Sequence, residues 1–366
     1  MITARAPGKL FIAGEYAVVE PGGDAVVVAV DRHVVVTLGP ARDRGRIDSD
    51  QPGWAPLTWS REATGVVAED GRGLDHALSA VRTIDEFVIG LGIDPRNHSL
   101  RISSDLDDAD GHKYGLGSSG AVTVATIRAL DEFYGLGLTR LEQFRLALLA
   151  IVDVAPSSSG GDVAASTFGG WVSYRSPDRA ALAELRARDG VLAAFRAPWA
   201  PLAITPLPSP DALELVVGWT GAAASTARLV DDVQAAVGAG TSAIQALPYE
   251  EFLTESRARV ADVAAGLTDG DPARVLAAVR AARRLLVGLG STLDVGIETP
   301  TLTRLCDEAE AIGAAAKSSG AGGGDCGIVL VPRGTDLTAM LAGWERAGVR
   351  RLTLAVAPPE PLVGAR

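Results

Sequence analysis

Between His112 and Leu130 the segment HKYGLGSSGAVTVATIRAL sets a two-glycine turn directly against a long apolar run. Gly115 and Gly117 can take backbone angles that other residues avoid. Ser118 and Ser119 then open a predicted helix reaching Tyr134. The first amide groups of such a helix lack carbonyl partners, and its dipole favours negative charge there, so the turn offers an anion site. The two hydroxyls could add contacts to a phosphate oxygen or to Mg²⁺. No Gly-Lys-Ser/Thr follows the glycines, so this is not a Walker A loop. Gly115–Gly120 does fit GxGxxG. A polar acidic stretch precedes it, however, where a dinucleotide fingerprint needs a strand. An ordinary serine-capped helix after a glycine turn would have the same local pattern.

Three further segments carry chemical potential. KSSGAGGGDCG, Lys317–Gly327, holds Gly320, Gly322, Gly323 and Gly324 before Asp325 and runs straight into an apolar strand. Its exposed amides can press against a ligand or another loop, and its placement is poor for a mere linker. PSSSGGDVAASTFGG places Asp162 after two glycines, either as an orienting carboxylate or base, or as a helix N-cap. RAPGKLFIAGEY presents Lys9 just after a Pro-Gly turn, where a surface lysine would also sit.

Composition sharpens the choice. The net charge is −11 and no Lys/Arg run forms a basic patch, which argues against nucleic-acid binding. An anionic small molecule would have to be held by a local positive site. Of the 34 cationic residues only Lys9, Lys113 and Lys317 are lysine, and each lies within a few residues of a glycine. A compact ammonium serves differently from a planar guanidinium, so the surviving lysines mark candidate phosphate sites. His33, His76, His98 and His112 show no metal-ligand spacing and read as surface or packing residues. Cys306 and Cys326 form no CxxC motif. With no secretory signal or membrane span in the sequence, they fit reduced thiols in a cytoplasmic protein.

At 366 residues, one large or two ordinary domains are expected. Short strands are predicted at Thr3–Arg5, Leu10–Ala13, Ala25–Val30, Val34–Leu38 and Ser99–Ser103. Leu74, Leu78, Val81, Ile84, Val88 and Leu91 recur at helical steps. The loop Asp105–Gly117 carries acidic Asp105, Asp107, Asp108 and Asp110, and a helix follows at Leu141–Ile151. Five prolines between Pro198 and Pro210 mark an inter-domain region, with Leu202–Leu207 a candidate strand inside it. Beyond it, strands are predicted at Leu213–Thr220, Cys326–Val331 and Leu352–Ala357. Helices are predicted at Thr226–Val237, Tyr249–Gly266, Pro272–Leu289, Pro300–Gly313 and Asp336–Ala347. Strands and helices mix in both halves, so the class is α+β, divided as 1–200 and 201–366.

Taken together, APGKLFIAGEY, YGLGSSGA and SGAGGGDCG resemble the three motifs of the GHMP kinase superfamily, in their family order across essentially the whole chain. Within it, Lys113 before YGLGSSG, GWTGAAAST at Gly218–Thr226, and Asp325 in GAGGGDCG are most similar to the phosphomevalonate kinase family. The resemblance implies a ribosomal protein S5 domain 2-like N-terminal domain and a ferredoxin-like C-terminal domain. It implies ATP and Mg²⁺, and phosphomevalonate as the small-molecule partner, in a monomer or homodimer. Lys9 and Asp162 would be catalytic, and Tyr114, Gly115, Leu116, Gly117, Ser118, Ser119 and Gly120 would bind ATP, with Ser119 near the metal. Lys9, Lys113, Ser159, Ser225, Ser319 and Ala321 would surround the substrate. The family usually shows a GNGS-like run before the aspartate, whereas this chain has Pro156-Ser157-Ser158-Ser159. The rival readings are a mevalonate kinase acting on an alcohol, a mevalonate diphosphate decarboxylase, or a non-catalytic ATP or metabolite sensor. Intact Lys9 and Asp162 weigh against the sensor.

Overall fold

The computed structural model describes residues 1–62, 65–69, 73–108, 112–222, 226–239 and 243–360. Its first half opens with strands β1 (Ile2–Ala13) and β2 (Asp24–Pro40), then β3 (Gly45–Ser49), β4 (Leu57–Glu62) and β5 (Gly65–Glu69). Helix α1 (Asp75–Gly90) and strand β6 (His98–Ser104) follow. Next come helices α2 (Ser118–Tyr134), α3 (Arg140–Val154) and α4 (Gly161–Phe168), strand β7 (Trp171–Arg175), helices α5 (Arg179–Asp189) and α6 (Val191–Arg196), and strand β8 (Ala203–Leu207). These strands form one sheet in the order β5-β4-β3-β6-β2-β7-β8, with β1 along β2. All pairs are antiparallel except β3–β6.

The second half comprises β9 (Leu213–Trp219), α7 (Thr226–Ala239), α8 (Ala243–Asp269), α9 (Pro272–Leu293), α10 (Pro300–Ala311), β10 (Ala315–Ser318), β11 (Cys326–Pro332), α11 (Thr338–Arg346) and β12 (Arg350–Leu352). Its four strands lie antiparallel in the order β10-β11-β9-β12, the arrangement of a ferredoxin-like unit. Sequence signals set several boundaries. Asp271 and Thr299 cap α9 and α10, each followed by proline at the first helical position. Thr139 and Glu142 close a capping box on α3. Of the helical stripe in α1, Leu74 through Val88 is buried, while Leu91 falls beyond the helix and is exposed.

The sheet differs from the sequence expectation in a way that matters for the site. The four short strands predicted before residue 40 merge into two long ones. Pro7–Gly8 is not a break but a register shift within β1, opposite the extra residues Asp31 and Arg32 of β2. The candidate strand among the prolines forms as β8 and pairs with β7. The ribbon β3–β5, helices α5 and α6, and the four-residue β10 carry too little local pattern to be predicted. Ala315–Ser318 is Ala-rich and reads as more helix, yet it is a fully buried strand. The chain finally returns to the first sheet, where Ala357 donates to Ala29 and Glu360 pairs with Arg128 and Arg140.

Candidate active site

The shift at Pro7–Gly8 presents Lys9 to the loop that opens α2. The Lys9 amide donates to Leu116 O at 2.8 Å, and its Nζ donates to Gly115 O at 3.1 Å. Gly117, at φ 76°, is the residue before α2, and a methyl group added there would fall 2.9 Å from the Lys9 side chain. Only glycine combines that angle with that approach. Among the described residues no side chain caps α2, so the amides of its first turn are left for a ligand. Ser118 and Ser119 stand half-buried at its start.

Asp162 reaches the same turn from the other side. Gly160, at φ 81°, takes the N-cap position of α4, so Asp162 lies within the first turn and is not the cap. Its Oδ1 accepts from the Val163 amide at 2.9 Å. Its Oδ2 is 2.7 Å from where a side chain on Gly120 would begin. Lys9 against Gly117 and Asp162 against Gly120 therefore flank one helical turn. Tyr174 and Arg179 hold the preceding Ser-rich segment. Tyr174 Oη donates to Ser159 O at 2.8 Å, and Arg179 donates to Ser158 O and Val19 O. Ser159 Oγ in turn accepts from the Gly161 amide at 3.2 Å.

Lys9, Gly117, Ser118, Ser119, Ser159 and Asp162 line a cleft of about 510 Å³ that also includes Tyr16, Trp54, His76, Lys113, Ser157 and Ala321. Lys113 is exposed and pairs through its backbone with Asp107. Burial raises the Asp107 carboxyl, with the Lys113 charge opposing that shift. Carboxylates from Glu15, Asp75, Asp107, Asp162 and Asp325 also reach the walls. Among the described residues no group of three or more His, Cys, Asp or Glu could hold a metal alone. Mg²⁺ does not require one, since it keeps waters and takes one or two protein oxygens with phosphate. Ser119 and Asp162, both at the α2 turn, fit that role.

The third glycine loop is placed differently. Ser319 Oγ donates to Phe11 O at 3.1 Å and accepts from Phe11 N at 2.8 Å. Gly323 donates to Ile297 O and Asp325 to Ala222 O through their amides. Gly320 and Ala321 reach the cleft, and Ala321 O accepts from Tyr16 Oη at 2.5 Å. Gly322 and Gly324 pack against the backbone of Ile297 and Ala222. Lys317 is fully buried and ion-pairs with Glu15, which is 4% exposed. It also donates to Ser318 O at 2.6 Å. Tyr114 stands outside the cleft wall. Its ring lies under Arg32 and edge-on to Trp219, and its hydroxyl accepts from Arg350 at 3.1 Å. Ser225 and Asp110 lie outside the described residues.

Sequence reasoning left out His76, Glu15 and Arg179. His76 carries no motif. Glu15 and Arg179 act through partners far away in sequence. Of the other histidines, His98 is buried between Trp59 and Phe133, and burial pushes its pKa down to about 4.

The family model for the GHMP kinase N-terminal domain matches residues 75–170, and that for the C-terminal domain matches 263–350. A phosphomevalonate kinase of Streptomyces sp. strain CL190 is 44% identical, covering 96% of each chain. A crystal structure of the Lin0012 protein from Listeria innocua superposes with a TM-score of 0.90 at 32% identity, covering 98% of each chain. Streptococcus pneumoniae phosphomevalonate kinase in complex with phosphomevalonate and AMPPNP superposes with a TM-score of 0.84 at 27% identity, covering 97% of this chain and all of that one. The chain belongs to the GHMP kinases and has their two-domain α+β fold.

Proposed function

We propose that this protein is an ATP-dependent phosphotransferase that converts (R)-5-phosphomevalonate to (R)-5-diphosphomevalonate in the mevalonate route to isoprenoids. The geometry that supports it best is the convergence of Lys9 and Asp162 on the uncapped first turn of α2, with Lys113 on the same cleft. Likeness to phosphomevalonate kinases along nearly the full chain selects the acceptor.

In this reading residues 1–200 form the nucleotide-binding domain and 201–366 the domain that completes the substrate site. The α2 amides and the turn from Gly115 to Gly120 cradle the triphosphate, while Tyr114 packs behind that turn. An acceptor phosphate oxygen attacks the γ-phosphorus, the bond to the bridging oxygen breaks, and that electron pair leaves with ADP. A phosphate monoester has a second pKa of about 6, so at pH 7 it is mostly dianionic and needs no general base. The larger barrier is bringing two polyanions together, which positioned cations and dipoles lower. Lys9 gives one ammonium N–H to Gly115 O, leaving two for the transferring phosphoryl group. Lys113, Ser159 and Ala321 surround the acceptor, and Ser319 fixes the strand that carries Lys9. Mg²⁺, held by Ser119 and Asp162 with the nucleotide, would neutralise charge on the phosphate oxygens. Asp162 also sets the field at the α2 turn. The buried, unbridged Cys306 and Cys326 fit a reducing cytoplasm.

The test is ADP release measured side by side with phosphomevalonate and mevalonate. Turnover with phosphomevalonate alone is expected. Equal or faster turnover with mevalonate would transfer the protein to the alcohol kinases, and CO₂ release from the diphosphate would mark a decarboxylase.

A further inference from the structure

His76 lies in the first turn of α1, and its ring forms part of the cleft wall. The charges that act on it come from Asp162, Asp75 and Lys113. Those are the carboxylate at the α2 turn, its own neighbour, and the cation assigned above to the acceptor. Its Nδ1 is sealed from solvent and has no hydrogen-bond partner among the described residues. A sealed N–H without a partner is rarer and costlier than a sealed lone pair. The ring therefore carries its proton on Nε2. Burial opposes a second proton on the sealed side and lowers the histidine's pKa. What results is a neutral imidazole with one fixed donor on the edge left to meet the cleft.

We infer that His76 is a further substrate-binding residue whose Nε2–H donates to an oxygen of the acceptor's phosphate monoester beside Lys113. This rests on the phosphate-acceptor reading given above. The triphosphate already has the uncapped amides of α2, whereas the second phosphate has Lys113 as its main charge. A neutral donor there adds direction without adding charge. An alcohol acceptor has no oxygen to place at this position, so the contact favours a phosphorylated acceptor.

The experiment compares the wild type with His76→Leu, which removes the donor, and His76→Gln, which restores one. Phosphomevalonate affinity is measured by calorimetry without nucleotide, and both KM values by ADP release. Thermal melting checks folding. His76→Leu is expected to weaken phosphomevalonate binding about tenfold or more, the loss of a hydrogen bond to a charged group. The KM for ATP stays within about twofold, and His76→Gln recovers most of the loss. Unchanged phosphomevalonate affinity in a folded His76→Leu variant would overturn the role, as would an equal rise in both KM values or no recovery with Gln. Wild-type turnover of phosphomevalonate reports on the activity separately. If the wild type turns over and His76→Leu binds normally, only the histidine's role fails. If the wild type neither binds nor phosphorylates this acceptor, both fail.

Discussion

Two glycine-rich loops of similar composition do opposite work in this molecule. The loop before α2 turns its main-chain donors toward the cleft and leaves the helix uncapped. The loop after β10 turns inward, where the Ser319 hydroxyl, the Gly323 and Asp325 amides and the Lys317 ammonium all have protein partners. One is built to receive an anion, and the other fastens the second sheet to β1 while leaving Gly320 and Ala321 on the cleft wall. Glycine content marks both as places of close approach. Only the hydrogen-bond accounting tells which approaches a ligand and which approaches the protein itself.

The largest effect expected to separate them is on Lys317. Lys317→Met leaves Glu15 buried without its partner, a loss of about 3–5 kcal/mol in urea unfolding. Removing both charges in Lys317→Met with Glu15→Gln should recover a substantial part. Equal stability of the single variant and the wild type would make the third loop an ordinary surface. Lys9→Met is the converse case. It should lower kcat about 10²- to 10³-fold, as loss of a transition-state charge contact does. Its melting temperature should move far less than that of Lys317→Met. Turnover near the wild-type rate at saturating substrate would remove Lys9 from the chemistry.

Smaller effects refine the contrast. Lys113→Met should raise the KM for the acceptor about tenfold while kcat falls less, since its ammonium meets a group that is charged before and after transfer. A fall in kcat alone would place it on the transferring phosphoryl group. Ser319→Ala should cost about 1–2 kcal/mol of stability, because it strips the Phe11 amide and carbonyl of their buried partner. No measurable loss would show that water replaces the hydroxyl.

The sequence made the loop before α2 legible because its signal is local: a glycine turn, two hydroxyls and an apolar helix in one short run. Two strands of the second sheet were legible for the same reason, expected at Leu213–Thr220 and Cys326–Val331 and found as β9 and β11. Strand β10 was not, and the strand expected at Leu352–Ala357 meets β12 only at Leu352. The Glu15–Lys317 pair was not legible, because its members are separated by 302 positions and, although each sits in a readable motif, nothing local joins the two. Tyr114 belongs to a readable motif, yet its ring is occupied by Arg32, Arg350 and Trp219 from three distant strands. His76 sits on a helix that was foreseen, but its exposure to the cleft depends on how α1 packs beside α2. Long-range packing leaves no local periodicity to read.

Hydrogen–deuterium exchange with and without AMPPNP tests most directly which loop receives the triphosphate. The expected result is slowed exchange across Gly115–Ala121, where the amides gain phosphate oxygens, and little change across Ser319–Asp325. Protection confined to Ser319–Asp325, with the α2 turn unaffected, would contradict the assignment.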